Sequence, residues 1–216
     1  MTMKTIWVIG GPGCGKGTQC SKIIDKFGLL HLSSGDLLRE EVASGSPRGA
    51  SLQELMSKGL FVPTDVVLSL IKERMDKARG DGNIKGFLID GYPRELEQGI
   101  QFEKDVNLSF EYPHQFFIYF IYLYILHICI YVCPVDLILF FDVKNETMKT
   151  RLLGRAAVSG RADDNEETIV KRIEIFNEKN SKIVEHYKDK VVKITAEGAV
   201  ESIFDEASKA LEPLFS

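Results

Sequence analysis

Apolar residues along this chain come in two rhythms that alternate from end to end. Residues 5–9, 29–32, 86–90, 137–142 and 191–195 are short runs rich in β-branched, aliphatic and aromatic side chains, the composition of strands buried on both faces. Between them, apolar positions recur every three or four residues. Cys20, Ile23, Ile24 and Phe27 do so in 19–27, and Val67, Leu68, Leu70, Ile71 and Met75 in 66–78. Ile169, Ile173, Phe176, Ile183 and Tyr187 share one face of a long helix that opens at a capping-box-like Asp164-Asn165-Glu166-Glu167. Further helices are predicted over 37–43, 50–58, 95–104, 145–155 and 200–214, with Gly28 and Gly59 as stops and hydroxyls or carboxylates at 33–36 as a cap. The stretch 44–49 reads as a break, 60–65 as an extended lead into a cap, and 79–85 as a turn. Strands alternating with helices predict an α/β fold, a five-stranded parallel sheet with helices on both faces.

The chemistry concentrates first in GGPGCGKGT, residues 10–18. Strand, glycine-rich loop and helix follow one another here, the context a phosphate-cradling loop needs. Glycines let successive N–H groups converge on one anion, and the helix adds its positive end. Lys16 supplies a mobile charge for the β- and γ-phosphates. The common pattern places Ser or Thr directly after the lysine, whereas Gly17 stands there and Thr18 follows. Thr18 or a water is therefore the hydroxyl expected toward a metal. Asp90, at the carboxyl end of the strand 86–90, falls where open α/β sheets collect ligands. The Gly91-Tyr92-Pro93-Arg94 turn after it presents an arginine.

Composition narrows the classes. The chain has 216 residues, enough for one α/β domain, and a formal net charge of −4, which gives no basic field for nucleic acid. The N-terminal stretch lacks the long apolar region and cleavage site of a secretory leader. The four cysteines form neither a CxxC pair nor a zinc spacing, so a reducing cytoplasm is expected.

Six motifs occur in order: GGPGCGKGTQ, residues 31–39 (HLSSGDLLR), Lys58-Gly-x-x-Val-Pro63, Asp90-Gly-Tyr-Pro-Arg94, Glu97-Gln-Gly99 and 160–167 (GRADDNEE). Together they resemble the nucleoside monophosphate kinases, within them the short-lid cytosolic adenylate kinases of isoenzyme 1 type. The resemblance implies ATP + AMP ⇌ 2 ADP with Mg²⁺, one kinase domain over 1–216, a monophosphate-binding arm at about 33–62 and a lid at about 154–164. It implies donor-phosphate contacts from Gly13, Cys14, Gly15, Lys16, Gly17 and Thr18, with Arg155 and Gly198 also meeting ATP. It implies an AMP site of Ser34, Arg39, Leu60, Phe61, Val62, Gly91, Tyr92, Pro93, Arg94 and Gln98, completed by Arg161 and Arg172. Lys16, Arg94, Arg155, Arg161 and Arg172 become the catalytic cations, and Thr18 and Asp90 the residues toward the metal, Asp90 through water. Gly35 and Gly160 become bending points, and Asp163 and Asp164 either pair with lid arginines or cap the next helix. Arg74, Arg79 and Arg151 are read as solvated. The chain is expected to be a cytoplasmic monomer acting on ATP, AMP and ADP, with no nucleic acid or membrane partner. The alternatives are a UMP/CMP kinase, against which Ser34 and Gln98 argue by suiting an adenine edge, a membrane-tethered kinase, and a nucleotide-binding regulator without turnover.

Residues 107–132 depart from this pattern. They carry nine aromatic residues but one charge, Glu111. Their removal restores a short connection from helix to strand. A membrane span needs ~20 apolar residues with basic flanks, and 116–132 falls short of both. A folded insertion would have to bury a wide aromatic surface. The favoured reading is a translated intron, since Phe, Tyr, Ile and Leu are what AT-rich noncoding sequence yields in frame.

Overall fold

The computed structural model describes residues 3–58, 60, 62–78, 83–108, 135–159 and 165–216. Phe61, Arg79, residues 160–164 of the lid with Gly160, Arg161, Asp163 and Asp164, and residues 109–132 of the aromatic segment lie outside them. Five strands, β1 (Lys4–Gly10), β2 (Leu29–Ser33), β3 (Gly86–Asp90), β4 (Leu137–Asp142) and β5 (Val191–Thr195), form one parallel sheet in the order β2-β3-β1-β4-β5. The helices are α1 (Lys16–Phe27), α2 (Ser34–Ala43), α3 (Pro47–Ser57), α4 (Thr64–Ala78), α5 (Leu96–Leu108), α6 (Asn145–Ser159), α7 (Glu166–His186) and α8 (Val200–Phe215). No helix of the described residues is long and apolar enough to cross a membrane.

Alternation within the strands divides the core in two. Trp7 and Ile9 of β1, Phe87 and Ile89 of β3, and Ile138 and Phe140 of β4 face one cluster with α2, α4 and α5. Ile6 and Val8, Leu88, and Leu139 and Phe141 face the other, with α1, α6 and α8. Two apolar faces explain why the strands read as nearly continuous hydrophobic runs. Helix α7 crosses between the layers: Ile169 and Ile173 join the second cluster, Ile183 the first, and Phe176 touches both.

Element starts differ from expectation at one instructive place. The 44–49 break is shorter than predicted, because Pro47 opens α3 at its first turn instead of interrupting a helix. Ser46 caps it, its Oγ accepting from the Gly49 N–H at 2.9 Å, while Ser33 caps α2 by accepting from the Asp36 N–H. The α2–α3 corner is tied by Glu41, which accepts from Arg48 Nε at 2.9 Å and Ser46 Oγ at 2.6 Å. These donors hold the Glu41 carboxyl down at about 2. A depressed carboxylate stabilises the folded form above its ordinary range and loses that contribution as pH falls toward the folded value. The corner therefore survives acidification through pH 4.5 and opens only near pH 2, which a carboxyl-detected NMR titration of Glu41 will show.

Candidate active site

All five strands run in one direction, so their carboxyl ends share one edge of the sheet, and β1 stands between β3 and β4 there. The glycine-rich loop leaves β1 at this edge. Gly13 (φ +78°) and Gly15 (φ +96°) take left-handed backbone that a side chain would strain, and a Cβ on Gly13 would lie 2.9 Å from Leu152 Cγ. Gly15 occupies the N-cap of α1 with no side-chain cap, so the first-turn N–H groups of the helix face the loop rather than a neighbouring side chain. Lys16 Nζ donates to the carbonyls of Gly10 at 2.8 Å and Gly11 at 3.0 Å, which holds its charge across the loop mouth.

Arg151 behaves otherwise than its sequence position suggests. It is not solvated: its guanidinium donates to Ala196 O from both terminal nitrogens at 3.2 Å and to Cys14 O at 3.4 Å. It thus ties the phosphate loop to the turn after β5. Glu197 in that turn accepts from the Lys144 N–H at 2.7 Å and Thr147 Oγ1 at 3.0 Å, and the Lys144 bond draws its carboxyl below the usual range. Arg74 is solvent-exposed as expected, and pairs there with Glu40 of α2.

On the other side of the loop, β3 delivers Asp90, which is 9% exposed. Gly91 then bonds back through its N–H to Val8 O at 3.0 Å. The Tyr92–Pro93 peptide is cis, and Arg94 sits beyond it. Three contacts set this turn. Arg94 N–H donates to Gln98 Oε1 at 2.9 Å, Arg94 Nε to Gly91 O at 3.1 Å, and Tyr92 Oη to Gln98 O at 2.7 Å. Burial pushes the Tyr92 phenol well above its ordinary value, so it stays a donor. Ser34 Oγ donates to Gly91 O at 2.9 Å, joining the start of α2 to the same turn.

These elements enclose a cleft of about 430 Å³. Gly13, Gly15, Lys16, Gly17 and Thr18 line one side; Ser34, Arg39, Leu60, Val62, Gly91, Pro93 and Arg94 line the other; Asp90, Arg155 and Arg172 also reach it. Five cations from separate parts of the chain, Lys16, Arg39, Arg94, Arg155 and Arg172, therefore converge on one space. Cys14, Tyr92, Gln98 and Gly198 do not line it. Cys14 is 2% exposed and packs into the core, Tyr92 is fully buried, and Gln98 spends its side-chain oxygen on the Arg94 backbone. Arg161 and Phe61 lie outside the described residues.

Sequence reasoning missed the contribution of α7 beyond Arg172. Ile175, Phe176, Asn180 and Ile183 line the cleft beside it, at helical spacing from the arginine. That periodicity is present in the sequence, but an apolar helical face by itself reads as core and does not mark a cleft. His31 also lines the cleft, with Nε2 at 3.6 Å from Asp90 Oδ2. Asp90 Oδ1, by contrast, is a buried acceptor with no hydrogen-bond partner among the described residues. In the same cleft as Thr18, that acceptor fits a hydrated cation such as Mg²⁺, which keeps its waters and takes few protein oxygens.

Comparison with known proteins agrees with this geometry. The family model "Adenylate kinase" matches residues 8–121. "Adenylate kinase 1" of Schistosoma mansoni is 50% identical over 211 residues, 97% of this chain and 93% of that protein. "Adenylate kinase isoenzyme 1" of Caenorhabditis elegans is 50% identical over 200 residues, 92% of this chain and 82% of that protein. The human protein of the same name is 43% identical over 213 residues, 98% of this chain and 95% of its own length.

Proposed function

Since this chain belongs to the adenylate kinase family and transfers a phosphoryl group between ATP and AMP, we propose that it does so in the cleft at the carboxyl end of its sheet. The observation that carries the reading is the convergence of Lys16, Arg39, Arg94, Arg155 and Arg172 beside the glycine-rich loop. The donor triphosphate lies on Gly13, Cys14, Gly15, Lys16, Gly17 and Thr18, with Arg155 and the Gly198 backbone contributing. Cys14 acts through its backbone, its side chain being turned inward. AMP lies against Ser34, Arg39, Leu60, Phe61, Val62, Gly91, Tyr92, Pro93 and Arg94, with Gln98 acting on the turn that presents Arg94. Arg161 and Arg172 bridge the two phosphates.

An oxygen of the AMP phosphate attacks the γ-phosphorus as the bond to the β-phosphate oxygen breaks, leaving ADP on both sides. Charge develops on the equatorial oxygens, and fixed guanidinium groups stabilise it without rearranging. Arginine suits the task because its planar fork stays charged and binds phosphate bidentately. Thr18 and Asp90 would hold Mg²⁺, Asp90 by way of water, and the ion would supply charge neutralisation for the phosphates. The segment 33–62 forms an arm and 154–164 a lid, whose closure excludes the water that would otherwise compete with AMP. A cytoplasmic monomer is part of the same proposal, as is the view that residues 107–132 are dispensable: α5 ends at Leu108, at their very start, and the Asp136 N–H reaches Thr5 O at 2.8 Å after them.

A coupled assay of ADP formation tests this, run with AMP, UMP and CMP on the full chain and on a chain lacking 107–132. The expected result is turnover with AMP at least about tenfold above the pyrimidine nucleotides, in both chains. Faster turnover with UMP or CMP would overturn the acceptor assignment. Activity confined to the full chain would overturn the view of 107–132.

A further inference from the structure

Three side chains unrelated in sequence meet beneath the phosphate loop. Cys20 of α1, His31 of β2 and Asp90 of β3 each bring one ligand atom into a group whose members all lie within 4.8 Å of one another. Cys20 is fully buried and Asp90 is 9% exposed. Asp90 Oδ1 and His31 Nε2 are both buried atoms lacking a hydrogen-bond partner among the described residues. Buried polar atoms without a hydrogen bond are costly unless something else satisfies them, and the approach of His31 Nε2 to Asp90 Oδ2 at 3.6 Å is too long to be one.

We propose that Cys20, His31 and Asp90 form a zinc-type site at which a thiophilic divalent cation inhibits the enzyme. Thiolate, imidazole and carboxylate are the donor set of zinc rather than of magnesium, which takes oxygen ligands. Metal–N and metal–O bonds of about 2 Å at a tetrahedral angle place the nitrogen and oxygen roughly 3.3 Å apart. His31 Nε2 and Asp90 Oδ2 already stand at 3.6 Å. Three protein ligands leave a fourth position, and since His31 and Asp90 both line the nucleotide cleft, that position faces a water or a phosphate oxygen. On binding, Cys20 loses its proton to the buffer and ligates as thiolate. Inhibition follows because the cation takes the carboxylate that otherwise serves hydrated magnesium, a step that rests on the role of Asp90 proposed above.

Cobalt(II) is the probe, since thiolate ligation gives it a near-ultraviolet charge-transfer band and tetrahedral geometry an intense visible spectrum. The full-length protein is expected to develop both with one equivalent of Co²⁺ and to lose them on adding Zn²⁺. Cys20→Ser abolishes the charge-transfer band. His31→Gln weakens binding by more than about 100-fold, because even residues that only support a ligand are worth 10- to 100-fold. Cys14→Ser, and Cys129→Ser with Cys133→Ser, keep the band. Circular dichroism of each variant separates lost ligation from lost fold. A band that persists in Cys20→Ser, or none in the folded wild type, overturns the site whatever the turnover assay gives. In that assay, at saturating Mg²⁺ and ATP, micromolar Zn²⁺ is expected to inhibit the wild type at least tenfold more strongly than Cys20→Ser, each against its own zinc-free rate. Stoichiometric binding with equal sensitivity in the two proteins overturns the inhibitory role alone.

Discussion

Replacing Lys16 with methionine is expected to lower kcat by roughly 10²- to 10³-fold, the scale seen when one preorganised group that stabilises transition-state charge is removed. Methionine keeps most of the side chain's length and removes its charge. The ammonium lies 2.8 Å from Gly10 O and 3.0 Å from Gly11 O, so it is already aimed across the loop into the cleft. Phosphoryl transfer leaves the protein little covalent work, so the loss falls on the chemical step. The two backbone hydrogen bonds lost are each worth only about 1 kcal/mol, so the melting temperature should fall by no more than roughly 4–8 °C. Steady-state rates with ATP and AMP, alongside thermal unfolding, check this. A rate within threefold of wild type would remove Lys16 from the machinery and undo the cleft assignment with it.

Trp7→Ala is expected to have the largest effect on stability, about 3–5 kcal/mol. Trp7 lies fully buried at the centre of β1. Its ring meets Phe102 edge-on at 5.4 Å, Tyr187 at 5.3 Å and Tyr92 at 6.3 Å. No small residue can refill that junction, because α5 approaches closely: a Cβ on Gly99 would stand 3.3 Å from Trp7 Cη2. Against a total stability of ~5–15 kcal/mol the loss is a large share, and for a chain of this size it lowers Tm by roughly 6–20 °C. Tyr92 belongs to the turn that carries Arg94, so activity below Tm should fall as well. Trp7→Phe keeps an aromatic ring and removes an indole N–H that finds no partner among the described residues. It should retain most of the stability. Circular dichroism is the measurement, since this is the chain's one tryptophan and its fluorescence is lost with it. An alanine variant melting within 3 °C of wild type would show that the junction tolerates a void.

Much of the fold can be read from local pattern because each element carries its own signal. The five strands appear where apolar runs predict them, and alternation inside β1 sends Trp7 and Ile9 to one layer and Ile6 and Val8 to the other. The glycine-rich loop is equally legible, since the backbone angles at Gly13 and Gly15 exclude most other residues. Misreadings arose where one residue type serves two purposes. Pro47 breaks a helix interior but starts α3, and only the Ser46 cap decides which. Arg151 has the sequence surroundings of a surface arginine, yet its partners are two carbonyls at distant positions. Gln98 offers the right groups for a base edge, but its side-chain oxygen accepts from the Arg94 N–H instead.

Composition, periodicity and the loop motif by themselves determined the α/β class, the parallel sheet and a glycine-rich loop carrying Lys16 at the start of a helix, because these depend on neighbours within a few residues. Which side chains share one space is set by the crossovers between parallel strands, and no local pattern records it. Only the tertiary structure put Ile175 and Asn180 on the cleft wall beside Arg172, took Gln98 off it, and drew Cys20 and His31 to Asp90. Charges and ligands act through distance in space, and the chain order 20, 31, 90 says nothing of that distance until β2 and β1 close on either side of β3.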